Sequence, residues 1–199
     1  MKHKLAFLIL CLSALPAVAA GPQTATPPTT MKFHSDTLHL DYTYPTSFVQ
    51  RDTSKDATHP CGTESISAVD TKDGFRMIML QDEDGDCLNK NLASNLASRV
   101  NALANSQLKR YGTPVLPDVT AYMIGSHHAI TTNGFIFDPI GGKTHYVAVS
   151  CQMIDKHAAC WELLSTSCSA LTEMESYPVT FAGELPKPLI PESLKPECK

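Results

Sequence analysis

The chain has 199 residues, of which 16 are Lys or Arg and 20 are Asp or Glu, for a net charge of −4 and a pI near 6.0. This mildly acidic balance, with no Lys/Arg run, makes the chain a poor candidate for binding nucleic acid or anionic membrane surfaces. The length suits one domain with a substantial core of its own.

The first residues read as an export leader. Met1-Lys2-His3-Lys4 is a short basic start, residues 5–15 form an apolar run, and Ala17-Val18-Ala19-Ala20 supplies small residues for cleavage near Ala19/Ala20. Residues 1–20 are therefore expected to be removed, and Cys11 with them. Leu10 stands where a lipoprotein anchor needs a small residue, and no later stretch approaches the roughly 20 apolar residues that span a bilayer. The expected location is secreted or periplasmic. The remaining cysteines, Cys61, Cys87, Cys151, Cys160, Cys168 and Cys198, form an even set in an oxidising compartment.

Residues 21–32 (GPQTATPPTTMK) open with a Pro/Thr run that has little to bury and are expected to be a disordered linker. A single domain is expected over residues 33–185. Residues 39–49 alternate aromatic and polar side chains up to Pro45, the pattern of a strand entering a turn. Residues 64–69 and 75–81 are β-rich runs joined by a segment ending in Asp73-Gly74, which predicts a hairpin. Next, Leu88, Leu92, Leu96, Val100, Leu103 and Leu108 form one apolar stripe opposite Asn89, Asn91, Asn95, Ser98 and Asn101, which predicts a long helix. Lys109 and Arg110 suit its negative end, Gly112 its C′ position, and Pro114 forbids continuation.

Beyond the helix, residues 119–124, 127–137, 145–153 and 159–165 read as a four-strand antiparallel meander, with turns at Gly125-Ser126, residues 139–142 and Asp155-Lys156. Residues 169–176 suit a short helix and 179–181 a last strand. Residues 186–199 hold four prolines and are expected to be an extended tail. Strands, one long helix and more strands describe an α+β domain with the helix on one face of an antiparallel sheet.

Tyr42-x-Tyr44-Pro45-x-x-Phe48 resembles the F-x-Y-P-x-x-W opening of the PsbP-like family of lumenal and secreted proteins, with Phe48 where that family has Trp. The order of elements over about residues 37–183 is similar as well. The resemblance implies a curved antiparallel sheet flanked by helices, in a family of mostly non-catalytic assembly and binding proteins. It brings no catalytic residue to this chain.

The cysteines have structural work available. If Asp155-Lys156 is a two-residue turn, 154 faces 157 and, counting outward, 151 faces 160 as a non-hydrogen-bonded pair. Such sites bring Cα atoms to about 4.5 Å, within disulfide range. Cys61 and Cys87 flank the earlier hairpin at one end, and Cys168 and Cys198 are then left to clip the tail. The expected bridges are Cys61–Cys87, Cys151–Cys160 and Cys168–Cys198. Cys-x-x-Cys exchange motifs and paired zinc-ribbon spacings are absent.

Other chemistry is less well supported. Asp82, Asp84 and Asp86 alternate as in a calcium loop, but Gly85 is misplaced for an EF-hand and position twelve is Ala93. A solvated strand-to-helix loop with Asp86 as a helix cap is the plainer reading. His127 and His128 point to opposite faces of one strand, and His145 could approach one of them from its neighbour. Gly125-Ser126-His127 lacks the second glycine of a nucleophile elbow and reads as a β-turn. Trp161 suits core packing against the 151–160 bridge, and Tyr42 and Tyr44, on one face of their strand, suit the core or its rim. The sequence thus describes an exported, disulfide-stapled, non-catalytic module that binds an envelope protein or a small ligand, without catalytic residues or cofactor. The alternatives are a small hydrolase using Ser126 and a nearby histidine, or a weak metal binder.

Overall fold

The computed structural model describes residues 29–54, 62–72, 74–84, 92–114, 116 and 118–198. Eleven strands and two helices form among them: β1 (Thr30–Ser35), β2 (Leu40–Pro45), β3 (Val49–Ser54), β4 (Gly62–Asp70), β5 (Arg76–Asp84), α1 (Leu92–Leu108), β6 (Thr120–Ile124), β7 (His127–Asp138), β8 (Lys143–Ile154), β9 (His157–Ser165), α2 (Cys168–Glu175), β10 (Pro178–Phe181) and β11 (Lys187–Pro188). The fold class is α+β with antiparallel sheets, as the order of elements implied.

The expected hairpin and meander join into one seven-stranded sheet, ordered β3-β4-β5-β9-β8-β7-β6. The join is β5 against β9, from Arg76↔Ser165 to Asp84↔His157. A second sheet, β1-β2-β10-β11, was not distinguished in the sequence. It packs on one face of the large sheet together with α2, while α1 covers the other.

This three-layer arrangement explains why β9 is buried along nearly its whole length. Its side chains alternate between two cores. Ala159, Trp161 and Leu163 join Leu40, Tyr42 and Ile78 on the small-sheet side. Ala158, Cys160 and Leu164 join Leu96, Val100 and Val147 beneath α1. Leu96, Val100, Leu103 and Leu108 of the expected stripe are buried, and a short 3-10 turn continues to Tyr111 before Gly112 ends the helix at φ 136°. Leu88 and the rest of the expected first turn lie outside the described residues.

Cys151 and Cys160 are bonded, with Cα atoms 4.1 Å apart, opposite each other in the β8–β9 register. The turn works as the count requires because Asp155 adopts φ 52°. Cys168 and Cys198 are also bonded, with Cα atoms 5.6 Å apart. The Cys61–Cys87 pairing lies outside the described residues.

Several expectations need correction. Residues 30–32, the last of the segment read as linker, belong to a strand, because residues 30–35 pair with β2. The tail is more than an extended clip. Leu189 and Ile190 are fully buried in the small-sheet core, and a 3-10 turn follows at Glu192–Leu194. The unit built on that core therefore runs past residue 185. Trp161 is a core residue, with Tyr42 edge-on at 6.1 Å, but it does not pack on the bridge, since consecutive strand residues face opposite layers.

Candidate functional site

On β7, odd-numbered side chains face the layer of the small sheet and tail. Ala129 lies in its core, and Asn133 donates from Nδ2 to the carbonyl of Leu194 at 3.3 Å. Phe135 and Phe137 continue this row past the cover and stand 50% and 59% exposed, and Ile140 at the adjoining turn is 97% exposed. On β8, Tyr146 pairs with Phe135 and Thr144 with Phe137, and the Phe135 and Tyr146 ring centroids are 6.2 Å apart. Between these strands, Leu171 of α2 and the chain end lies a half-open cavity of about 450 Å³. Phe135, Tyr146 and Leu171 form its floor, and Pro196, Glu197 and the Cys168–Cys198 bridge form a wall. Its size and lining suit a compact, mainly apolar ligand, with Asn133, Thr144 and Glu197 as polar contacts.

A second cavity, of about 410 Å³, borders a buried ion cluster. Asp70 accepts from Arg76 Nη2, from Ser47 Oγ at 2.7 Å and from the Lys72 N–H at 2.8 Å. Burial alone would raise the Asp70 carboxyl, but these donors outweigh it and hold the group below its ordinary value. Arg76 reaches Glu173 at 3.4 Å and lies 5.3 Å over the Phe48 ring. Tyr177 donates to Glu173 at 2.9 Å, and burial first, then Glu173, raise its hydroxyl. Asp70 and Glu173 against one arginine leave no surplus positive charge to bind an anion, so this cluster serves to join β4, β5 and α2.

Two further buried polar groups sit near the tail. Tyr122 donates to the Leu189 carbonyl at 2.8 Å and lies 2.6 Å from Ser150 Oγ, with its pKa raised by burial to about 12. Glu175 is fully buried and neither carboxyl oxygen has a hydrogen-bond partner. Burial pushes its pKa to about 8, opposed by Lys195 and assisted by Glu192.

The residues singled out in the sequence do not converge. Ser126 donates to Glu184 Oε1 at 2.6 Å, while His127 Nε2 is 4.0 Å from that same oxygen. The carboxylate therefore stands between serine and imidazole, whereas activation requires the imidazole to accept the serine proton directly. Glu184 closes the Gly125-Ser126 turn instead. Gly125, at φ 59°, lies so close that an added Cβ would fall 1.7 Å from Glu184 Oε2. His145 does not approach His127 or His128, because it pairs with Ile136 far along β7. It stacks on Tyr111 with centroids 3.7 Å apart, and its pKa is lowered by burial, against the pull of Asp138.

Asp82 is not in a solvated loop. It lies buried on β5 opposite Ala159, and its Oδ1 is 3.0 Å from His157 Nδ1. Asp84 follows on the same strand, opposite His157, and Asp86 lies outside the described residues. Among the described residues no three His, Cys, Asp or Glu side chains converge as a metal site. None of the described helices is long and apolar enough to cross a membrane.

No protein-family profile matches the sequence, and no curated protein sequence matches it. By structure, the chain is similar to cyanobacterial PsbP (CyanoP) from Synechocystis sp. PCC 6803, solved in solution. The match covers 80% of this chain and 92% of that one, with a TM-score of 0.50 at 10% sequence identity. The likeness is one of fold.

Proposed function

We propose that this PsbP-like domain is a non-catalytic binding module of the cell envelope, exported by the leader read at residues 1–20, and that its binding site is the aromatic cavity beside the tail. The observation that supports this reading is the half-exposed Phe135 lining a concave, mainly apolar cavity with Tyr146 and Leu171, while Phe137 and Ile140 stand exposed just beyond it in the chain. Scattered apolar residues on a surface are ordinary, whereas an aromatic-lined concave cavity with a few polar groups is the form a ligand site takes. The two disulfides and the fold shared with PsbP are compatible with a non-catalytic module in an oxidising compartment.

The reading is tested by native mass spectrometry of the full protein recovered from its own compartment. A bound small molecule or partner is expected in the wild type and is lost in a Phe135→Ala/Phe137→Ala variant that remains folded. A ligand retained by that variant overturns the assignment of the site. Hydrolytic turnover abolished by Ser126→Ala overturns the non-catalytic reading.

A further inference from the structure

The two disulfides among the described residues differ sharply in their surroundings. Cys151–Cys160 is fully buried beneath α1. Cys198 is exposed at the end of the chain, and its bridge to the half-buried Cys168 forms part of the cavity wall. The tail just before that wall is anchored independently of the bridge. Leu189 and Ile190 are buried, Asn133 holds the Leu194 carbonyl, and Lys195 Nζ binds Ser176 Oγ at 2.6 Å. Cleaving Cys168–Cys198 would therefore free only the short flap from Pro196 onward, while the floor of Phe135, Tyr146 and Leu171 stays in place.

We propose that Cys168–Cys198 is a redox latch on the aromatic cavity, closing the wall that retains an apolar ligand and releasing that ligand when a dithiol reductant opens the bridge. The inference rests on the cavity being the binding site. One thiolate of the reductant attacks the exposed Cys198 Sγ, the S–S bond breaks, and the electron pair leaves on Cys168 Sγ. That position favours the leaving thiolate, since Cys168 is the first residue of α2 and faces the positive end of its dipole. The second thiol of the reductant then displaces Cys198 from the mixed disulfide. The reductant departs as a disulfide, the protein gains two electrons and two protons, and Cys168 and Cys198 become thiols.

The test uses the full oxidised chain, dithiothreitol and the apolar fluorophore anilinonaphthalene sulfonate. Brief mild reduction followed by alkylation and peptide mapping is expected to label Cys168 and Cys198 while Cys151 and Cys160 remain bonded. Probe binding to the oxidised protein is expected to depend on Phe135 and to weaken at least tenfold after selective reduction. A Cys168→Ser/Cys198→Ser variant should show the same weakening without reductant. Equal labelling of the two bridges, or affinity that reduction leaves unchanged or increases, overturns the latch and leaves the site intact. No Phe135-dependent binding in the oxidised protein overturns the site and the latch together.

Discussion

Replacing Glu175 by Gln isolates the effect of one buried acid on stability. The carboxyl is fully buried without a hydrogen-bond partner, and its pKa rises from 4.5 to about 8. The folded state therefore keeps a proton that the unfolded chain releases above about pH 4.5. Between those values the folded protein binds more protons than the unfolded one, so stability falls as pH rises, by about 1.4 kcal/mol per pH unit. From pH 5 to pH 7.5 this group alone should cost about 3 kcal/mol. The amide resembles the neutral acid in shape and does not ionise. Glu175→Gln should match the wild type within about 1 kcal/mol at pH 5 and exceed it by about 3 kcal/mol at pH 7.5. Lys195, Glu192 and Tyr122 face Glu175 and are present in both proteins, so the difference removes their own titrations. Urea unfolding at half-unit pH intervals measures it. A wild-type-minus-variant difference that stays constant from pH 5 to pH 8 would refute the reasoning, because it would mean that the acid titrates alike in both states.

Asp70→Asn should destabilise the protein by about 3 kcal/mol at neutral pH, since it leaves the buried Arg76 guanidinium without its closest counter-charge. Because the Asp70 carboxyl is held low, its contribution is complete above the unfolded carboxylate range and disappears as pH falls through the folded value. The two proteins should therefore converge in acid, as acid-branch unfolding curves would show. Removing the buried bridge with Cys151→Ala/Cys160→Ala should cost about 3 kcal/mol, the loop-closure value for a loop of this size. A calorimetric loss below about 1 kcal/mol would show that α1 and the flanking strands already hold the hairpin without it.

What the sequence made legible was local. The stripe from Leu96 to Leu108 announces α1, and the spacing of Cys151 and Cys160 about Asp155-Lys156 gives a register that the structure shares. What stayed hidden depends on distant partners. The pairing of Arg76 with Ser165 and the assembly of β1, β2 and β10 into a second sheet have no signal within either segment. Phe135-Ile136-Phe137 reads only as the end of a strand, and the boundary of the covering layer is what leaves both phenylalanines exposed, with Phe135 lining the cavity. Asp82 sits in an acidic stretch that suggests a wet loop. Its burial is explained by β9 lying alongside and by His157 within reach. Nothing near Glu175 marks it as unpartnered, because the tail that helps enclose it arrives from residues 189–195.

The two-sided burial of β9 also bears on how the chain reaches its native state. Were β9 to slip by one residue against β8, Cys160 would turn toward the small sheet and Trp161 toward α1. The two sulfurs would then lie on opposite faces, too far apart to bond. A hairpin slipped by one residue therefore cannot form this bond. The bond and the alternation of β9 thus specify the same register, one through the covalent link and the other through the two cores it feeds.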